Sequence, residues 1–265
     1  VSWLLNYRGG SFLLPDAPEI RKEWQIRGVT FEVLSDAATN TILEDISSPS
    51  QNMETVVLEK APKIAVYTPK GKQPWDDAVT MVLTYAEIPF TEVYDEEVLS
   101  DQLLLYDWLH LHHEDFTGQY GKFFGNYRST PWYIQQKAEA EALAKKLGYN
   151  KVSEEKLAVA KKIRDFVIGG GFMFAMCSAT DSFDIALSAE GVDICEPMFD
   201  GDDSDANYQA QIDYSNTFAF KDYKLERQPM VYEFSDIDTT EEHGKGSFSM
   251  DKDYFTLMEY SAKWD

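Results

Sequence analysis

The segment Gly169-Gly-Gly-Phe-Met-Phe-Ala-Met-Cys-Ser-Ala-Thr-Asp-Ser-Phe-Asp184 runs a short apolar strand into a helix with almost nothing between them. Few folds accept such a junction. A helix entered directly from a strand must pack back onto the sheet it has just left, which is the geometry of parallel α/β proteins. The residue at the turn, Cys177, is thereby pushed into a strained backbone conformation with its side chain above the sheet. Small residues are needed two positions away, and Ala175 and Ala179 stand there. The helix that follows presents its dipole and its unpaired N–H groups, that of Ser178 first, to a thiolate or an oxyanion. The competing reading of Cys177 is a buried, inert thiol, since free cysteine is commonly a core residue.

The rest of the chain carries the same rhythm. Val1–Tyr7 and Val29–Leu34 look like strands around a helical stretch at Ala17–Arg27, and a weaker helical segment covers 39–47. Ser47-Ser-Pro-Ser-Gln-Asn52 marks a turn or linker. From residue 63 the alternation sharpens. It gives a buried strand at Lys63–Thr68, a helix from Trp75 to Glu87 with Asp76 and Asp77 in its first turn, and Pro89 to stop it. A strand at Phe90–Tyr94, an acidic helix near 95–104 and a strand at Asp107–His112 follow. Ser153-Glu-Glu155 opens an amphipathic helix reaching Val167, ended by Gly169-Gly-Gly171, and Phe172–Met176 is expected to be a buried strand. After residue 200 the pattern becomes strand-like with little helix. The expected fold is a doubly wound, mainly parallel α/β sheet, with ligands at the carboxyl ends of its strands.

That edge would collect His112, His113 and Glu114 beside Cys177. A histidine with an orienting carboxylate could serve as base, the same groups could bind a metal, or they could only cap the strand end. No fixed-spacing metal motif is present. Phe116–Ile134 holds seven aromatics in nineteen residues, among them Tyr120, Phe124, Tyr127 and Trp132. Broken by Gly118, Gly121 and Gly125, it reads as a loop. Such rings suit stacking on sugars or a water-excluding lid, or simply packing on the domain. Asp200-Gly-Asp-Asp-Ser-Asp205 is rich in carboxylates, yet Asp205 and Gln211 stand where a calcium loop needs Gly and Glu, so a solvated acidic loop is expected and no metal.

Composition narrows the function classes. A net charge of −22 repels phosphate backbones and anionic membranes, so nucleic acid is not an expected partner. Two cysteines, Cys177 and Cys195, exclude a disulfide framework and a four-cysteine zinc site, leaving a single bridge between them open. No apolar run is long enough to span a bilayer. The chain opens in a strand-like run without an initiator Met and stops after another, so both ends read as cut. An exported, periplasmic protein whose leader has been removed fits such an opening.

Ala175-Met-Cys177-Ser-Ala179 resembles the Gly-x-Cys-x-Gly elbow of the class I glutamine amidotransferase-like superfamily, with alanine in place of both glycines. Ile64-Ala-Val-Tyr-Thr-Pro69, Trp108-Leu-His-Leu-His-His-Glu-Asp-Phe-Thr-Gly118 and Phe174-Ala-Met-Cys-Ser-Ala179 look closest to a branch chiefly from Bacteroidetes. That branch is often labelled asparagine synthetase B and is related to ThuA-like domains. The resemblance covers nearly the whole chain. It implies one flavodoxin-like domain, with 1–60 as an N-terminal β-α-β portion, 61–200 as the core, and 201–265 as a truncated β-rich extension. It also implies a cysteine-dependent amide hydrolase or transferase acting on a small amide, without a cofactor. The alternative is a non-catalytic ThuA-like module that binds carbohydrate. Two departures stand out. His112-His-Glu114 replaces the oxyanion Gly-Gly loop, and the lone downstream histidine, His243, lacks the family's His-x-Glu spacing. There is also no Gly-rich nucleotide loop with its lysine, so ATP-dependent amide synthesis has no visible machinery.

Overall fold

A computed structural model describes residues 1–58, 60–69 and 78–237, together with the backbone of 256–257. The chain divides into two compact units, Val1–Ala61 with Glu259–Asp265, and Pro62–Met258. The junction falls at 61/62.

In the first unit, β1 (Ser2–Leu5) lies between β2 (Ser11–Leu13) and β3 (Glu54–Val57) in an antiparallel sheet of order β2-β1-β3. Helix α1 spans Pro18–Ile26 with its proline at the first turn, where the missing N–H is not needed. Helix α2 spans Asp36–Ile46 and starts three residues before the expected position, because the Ser35 hydroxyl accepts the Ala38 N–H at 3.3 Å. The expected strand at 29–34 does not form. Its alternating residues find no partner strand, and alternation without a ladder is only a pattern.

The second unit is built on a four-stranded, all-parallel sheet. It comprises β4 (Ile64–Tyr67), β5 (Phe90–Val93), β6 (Trp108–Leu111) and β7 (Phe172–Ala175), in the order β5-β4-β6-β7. This order is compatible with the start of a flavodoxin-like sheet. Strand β4 is central and apolar on both faces, and all four of its residues are buried. Strand β7, expected to be buried, is instead the edge strand, and Phe172 and Phe174 on one face are 41% and 47% exposed. Its other face contributes Met173 and Ala175 to the core.

Between the strands run α3 (Ala78–Tyr85), α4 (Asp95–Leu99), α5 (Phe124–Tyr127), α6 (Pro131–Lys146) and α7 (Val152–Ile168). The expected Asp76 and Asp77 of the first helix turn lie outside the described residues. Helix α3 ends before Pro89 matters: Glu87 turns left-handed (φ 56°) and Ile88 N–H reaches back to Leu83 O at 2.9 Å. Helix α6 begins inside the stretch expected to be loop, so Trp132 and Tyr133 are helical. The start of α7 is held by Glu154, not by Ser153: its carboxylate accepts the N–H groups of Asn150 and Lys151 at 3.1 and 3.2 Å. The apolar stripe of α7, Val159, Ala160, Ile163 and Phe166, packs on Ala65, Tyr67, Leu109 and Leu111 of the sheet. Burying each such aliphatic side chain contributes about 1.5–3 kcal/mol. At the end of α7, Gly170 takes φ 100°, and Gly171 lies so close to the Phe166 ring that a Cβ would stand 2.3 Å from it. Both positions aim the chain into β7.

Helix α8 (Ser178–Ser188) follows β7 directly. Beyond it the described chain is mostly irregular, with α9 (Pro197–Asp200), α10 (Tyr208–Gln211) and β8 (Phe220–Lys221), which pairs with β9 (Thr256–Leu257). The β-rich reading after residue 200 therefore fails as far as residue 237. Its strand-like residues are pinned by side chains: Asp184 alone accepts the N–H groups of Phe218, Ala219 and Phe220 at 2.8–2.9 Å.

Candidate functional site

Cys177 is the junction between β7 and α8, with φ 53° and ψ −144°. An L-residue held there costs on the order of 1–3 kcal/mol, and only surrounding structure can keep it in place. That structure is visible. Met176 N–H donates to Leu111 O at 3.2 Å, carrying the ladder with β6 to the brink of the turn. Ala179, fully buried, donates its N–H to His112 O at 3.3 Å. The Ser178 and Ser182 hydroxyls donate to His113 O and Glu114 O at 2.9 and 3.0 Å. The elbow and the loop after β6 are thus stitched together.

The thiol of Cys177 is exposed, so the inert-core alternative does not hold. Among the described residues, its Sγ makes no hydrogen bond, and the Ser178 N–H donates to no acceptor. The elbow opens into a pocket of about 310 Å³. Its walls are Cys177, Ser178, Thr180 and Asp181 on one element, and Tyr232, Glu233 and Phe234, with Ile237, on another. The second element is an arm closed by the Leu225–Ser235 bridge and by Glu226 N–H donating to Phe234 O at 2.8 Å. It is anchored by Lys122, whose buried Nζ donates to Glu226 O and Gln228 O at 2.9 and 3.3 Å. Desolvation pushes that amine down to about 8, against the pull of Glu226 and Asp115. Gly125 sits against the arm as well, where a Cβ would lie 2.8 Å from Met230 O.

The histidines gather as expected, with a different use of the carboxylate. His112 and His113 approach Nδ1 to Nδ1 at 2.9 Å. One ring must donate there, which leaves its own Nε2 as a proton acceptor when the pair is neutral. Glu114 is buried, and its Oε2 accepts the backbone N–H of His112 at 2.9 Å. The carboxylate thus fixes the loop at the position where the resemblance implies oxyanion glycines. No hydrogen bond joins either ring to Cys177 among the described residues. His110 stays on β6, buried and stacked on Phe174 at 5.2 Å. His243 lies outside the described residues.

The aromatic residues separate into two groups. Tyr120 is 5% exposed, meets Tyr133 edge-on, and belongs to a core cluster with Cys195 and Phe199; burial raises its phenol pKa. Phe124 packs against Phe199 at 6.0 Å. Tyr127 and Trp132 remain exposed at 42% and 43%, with ring centroids 5.1 Å apart.

Two further clusters flank this edge. Just past β5, Asp95 is buried against Lys156, whose Nζ lies 2.7 and 2.8 Å from its carboxylate oxygens and 3.0 Å from the Tyr67 hydroxyl. Burial works against the Lys156 charge, yet Asp95 raises its pKa overall. Neighbouring Glu155 is also buried, its Oε1 has no hydrogen-bond partner among the described residues, and desolvation pushes it up to about 8. In the acidic loop, Asp193, Cys195 and Asp200 have metal-like spacing, but Lys151 is the cation there. Its Nζ lies 2.5, 3.0 and 2.6 Å from Asp193, Asp200 and Asp202, so Asp200 and Asp202, expected to be solvated, hold an ammonium together with Asp193. Both cysteines are free thiols. Cys195 is buried, donates to Thr117 O at 3.3 Å, and is pushed up by burial.

Asp181, Glu233 and Lys122 were not singled out by sequence. Asp181 follows Cys177 by one helical turn, which is the single signal that could have found it. Among the described residues, no helix is long and apolar enough to cross a membrane. Compared with family models, curated proteins and solved structures, the chain matches none.

Proposed function

We propose that this is a class I glutamine amidotransferase-like α/β protein in which Cys177 is the nucleophile of an amide hydrolase or transferase. The observation that carries the reading is the Cys177 backbone, φ 53° and ψ −144°, at a strand–helix junction opening on a pocket. In this scheme the Cys177 thiolate attacks an amide carbonyl. The Ser178 N–H receives the developing oxyanion, and the His112–His113 pair accepts the thiol proton and returns it to the leaving amine. Water then hydrolyses the thioester, or a second amine takes the acyl group. The pair must move toward the thiol for this to work, since it does not bond it at rest.

Incubation with a panel of small amides, followed by intact-mass spectrometry and ammonia detection, tests the scheme. Cys177-dependent ammonia release that disappears in Cys177→Ala is the expected result. Absence of turnover and of any acyl adduct at Cys177 across the panel refutes it.

One observation favours a second reading, a ThuA-like carbohydrate-binding module. The exposed, adjacent Tyr127 and Trp132 rings form a surface on which a sugar could stack. Saturable binding to a glycan array, lost in Trp132→Ala and indifferent to Cys177→Ala, would decide for it.

A further inference from the structure

We infer that Ser182, on the second turn of α8, is a positioning residue for the reaction at Cys177: it fixes the backbone of the loop that carries His112 and His113. The inference rests on the acyl-transfer reading of the elbow and adds the residue that holds its base in place. Ser182 is fully buried, and its hydroxyl is used twice on one loop. It donates to Glu114 O at 3.0 Å and accepts the N–H of Phe116 at 3.4 Å. The Glu114 carboxylate in turn accepts the N–H of His112 at 2.9 Å. One hydroxyl on α8 thus holds Glu114, and Glu114 holds the start of the histidine pair.

Two further ties run from the same helix to the same loop, from Ala179 N–H to His112 O and from the Ser178 hydroxyl to His113 O. The Ser178 bond is open to water, which competes for both partners, whereas the Ser182 bonds lie in the interior. Buried backbone groups keep their partners because an orphaned one bears the full desolvation of that group. Replacing Ser182 by Ala takes a donor from Glu114 O and an acceptor from Phe116 N–H at once, and the loop must shift to find others. A displacement of about 1 Å in a reacting group is enough to lose roughly 100-fold in rate. With the carbonyls of His112, His113 and Glu114 all held by α8, the loop backbone stays with Cys177, and the imidazole rings are what rotate to reach the thiol. Ser188, later on the same helix, shows the contrast. It is also buried, but its hydroxyl donates back to Ile185 O within α8 and meets the Tyr223 hydroxyl, and neither partner belongs to the loop.

Single-turnover acylation by p-nitrophenyl acetate, mapped to Cys177 by peptide mass, reads this directly. The Cys177 sulfur attacks the ester carbonyl, the S–C bond forms as the C–O bond breaks, p-nitrophenolate leaves, and the thiol proton passes to the histidine pair. Ser182→Ala is expected to slow this step about tenfold or more at neutral pH. Ser188→Ala, which also removes one buried hydroxyl from α8, should stay within about twofold of the parent rate. In the His112→Ala/His113→Ala background, Ser182→Ala should change the rate by less than about twofold, because the base it positions is gone. The rate–pH curve of Ser182→Ala should move toward that of the histidine variant. Ser182→Cys, close in size and a weak donor, should fall between the parent and Ser182→Ala, and it carries the test if the alanine variant does not fold.

A folded Ser182→Ala with the parental rate overturns the inference. So does an equal slowing with and without the histidines, the signature of a hydroxyl that only packs α8 on the sheet. Slowing that depends on the histidines, without turnover of any amide in the panel, sinks the amide chemistry and leaves Ser182 in this role. Amide turnover indifferent to Ser182→Ala does the reverse.

Discussion

The carboxyl edge of the parallel sheet has two ends that treat charge in opposite ways. At the β4–β5 end, the Lys156 ammonium is buried and enclosed by Asp95, Tyr67 and Tyr94. At the β6–β7 end, a strained residue presents an exposed thiol and an unengaged Ser178 N–H. Polar groups that satisfy one another hold a fold together. Polar groups held apart by that fold are left with capacity to act on something else. On the proposed reading the first end is structural and the second is where the chemistry occurs, and perturbing each should give a different signature.

The largest effect is expected at the closed end. Lys156→Met leaves Asp95 buried without its partner and should cost about 3–5 kcal/mol, measured by urea unfolding. The double replacement Asp95→Asn/Lys156→Met should recover a substantial part of that loss. If the single variant is as stable as the parent, the pair does not stabilise the fold.

At the open end the expected loss is in rate and not in stability. His112→Ala/His113→Ala should lower Cys177 acylation roughly 100-fold, the usual span of a lost general base, with little change in unfolding midpoint. An unchanged acylation rate would show that the pair is no more than a cap on β6. Smaller again is the strain itself. Cys177→Gly should be about 1–2 kcal/mol more stable than Cys177→Ala, because glycine alone adopts this backbone conformation without penalty. Equal stability would mean that the turn relaxes once the sulfur is gone.

The smallest effect separates the two ends by pH. Glu155 has its folded pKa raised to about 8 from 4.5, so its contribution is present below about 4.5 and is lost as pH rises toward 8. Glu155→Gln should match the parent near pH 4.5 and exceed it by on the order of 1 kcal/mol above pH 8. Unfolding curves across that window check the sign, and a parent that gains on the variant with rising pH would contradict it.

Much of the parallel sheet was legible because buried strands are short apolar runs bounded by breakers, as at Ile64–Tyr67 and Trp108–Leu111. The edge position of β7 was not, since Phe172 and Phe174 look like core residues until the strand order is known. Val29–Leu34 misled in the opposite sense, with alternation but no partner. At the site, the elbow could be read from small residues around Cys177, a local signal. The arm carrying Glu233 could not, because it is irregular chain held by Lys122 and by backbone bonds that leave no periodicity. The role of Glu114 was likewise hidden, because whether a carboxylate orients a ring or turns back on its own backbone depends on one rotamer.

The order β5-β4-β6-β7 also carries a consequence for how the protein comes into being. Strand β4 pairs first with β5, its neighbour in sequence, and then with β6, while β7 must wait for two long helices to be made and packed. On a ribosome the elbow is therefore the last part of the sheet to close, and until then Cys177 is an ordinary residue on an unpaired strand. Its unusual backbone becomes obligatory only once Met176 and Ala179 have docked on the end of β6. The elbow geometry is completed by the final strand pairing, so a chain that stalls earlier carries Cys177 without the backbone conformation that the proposed chemistry uses.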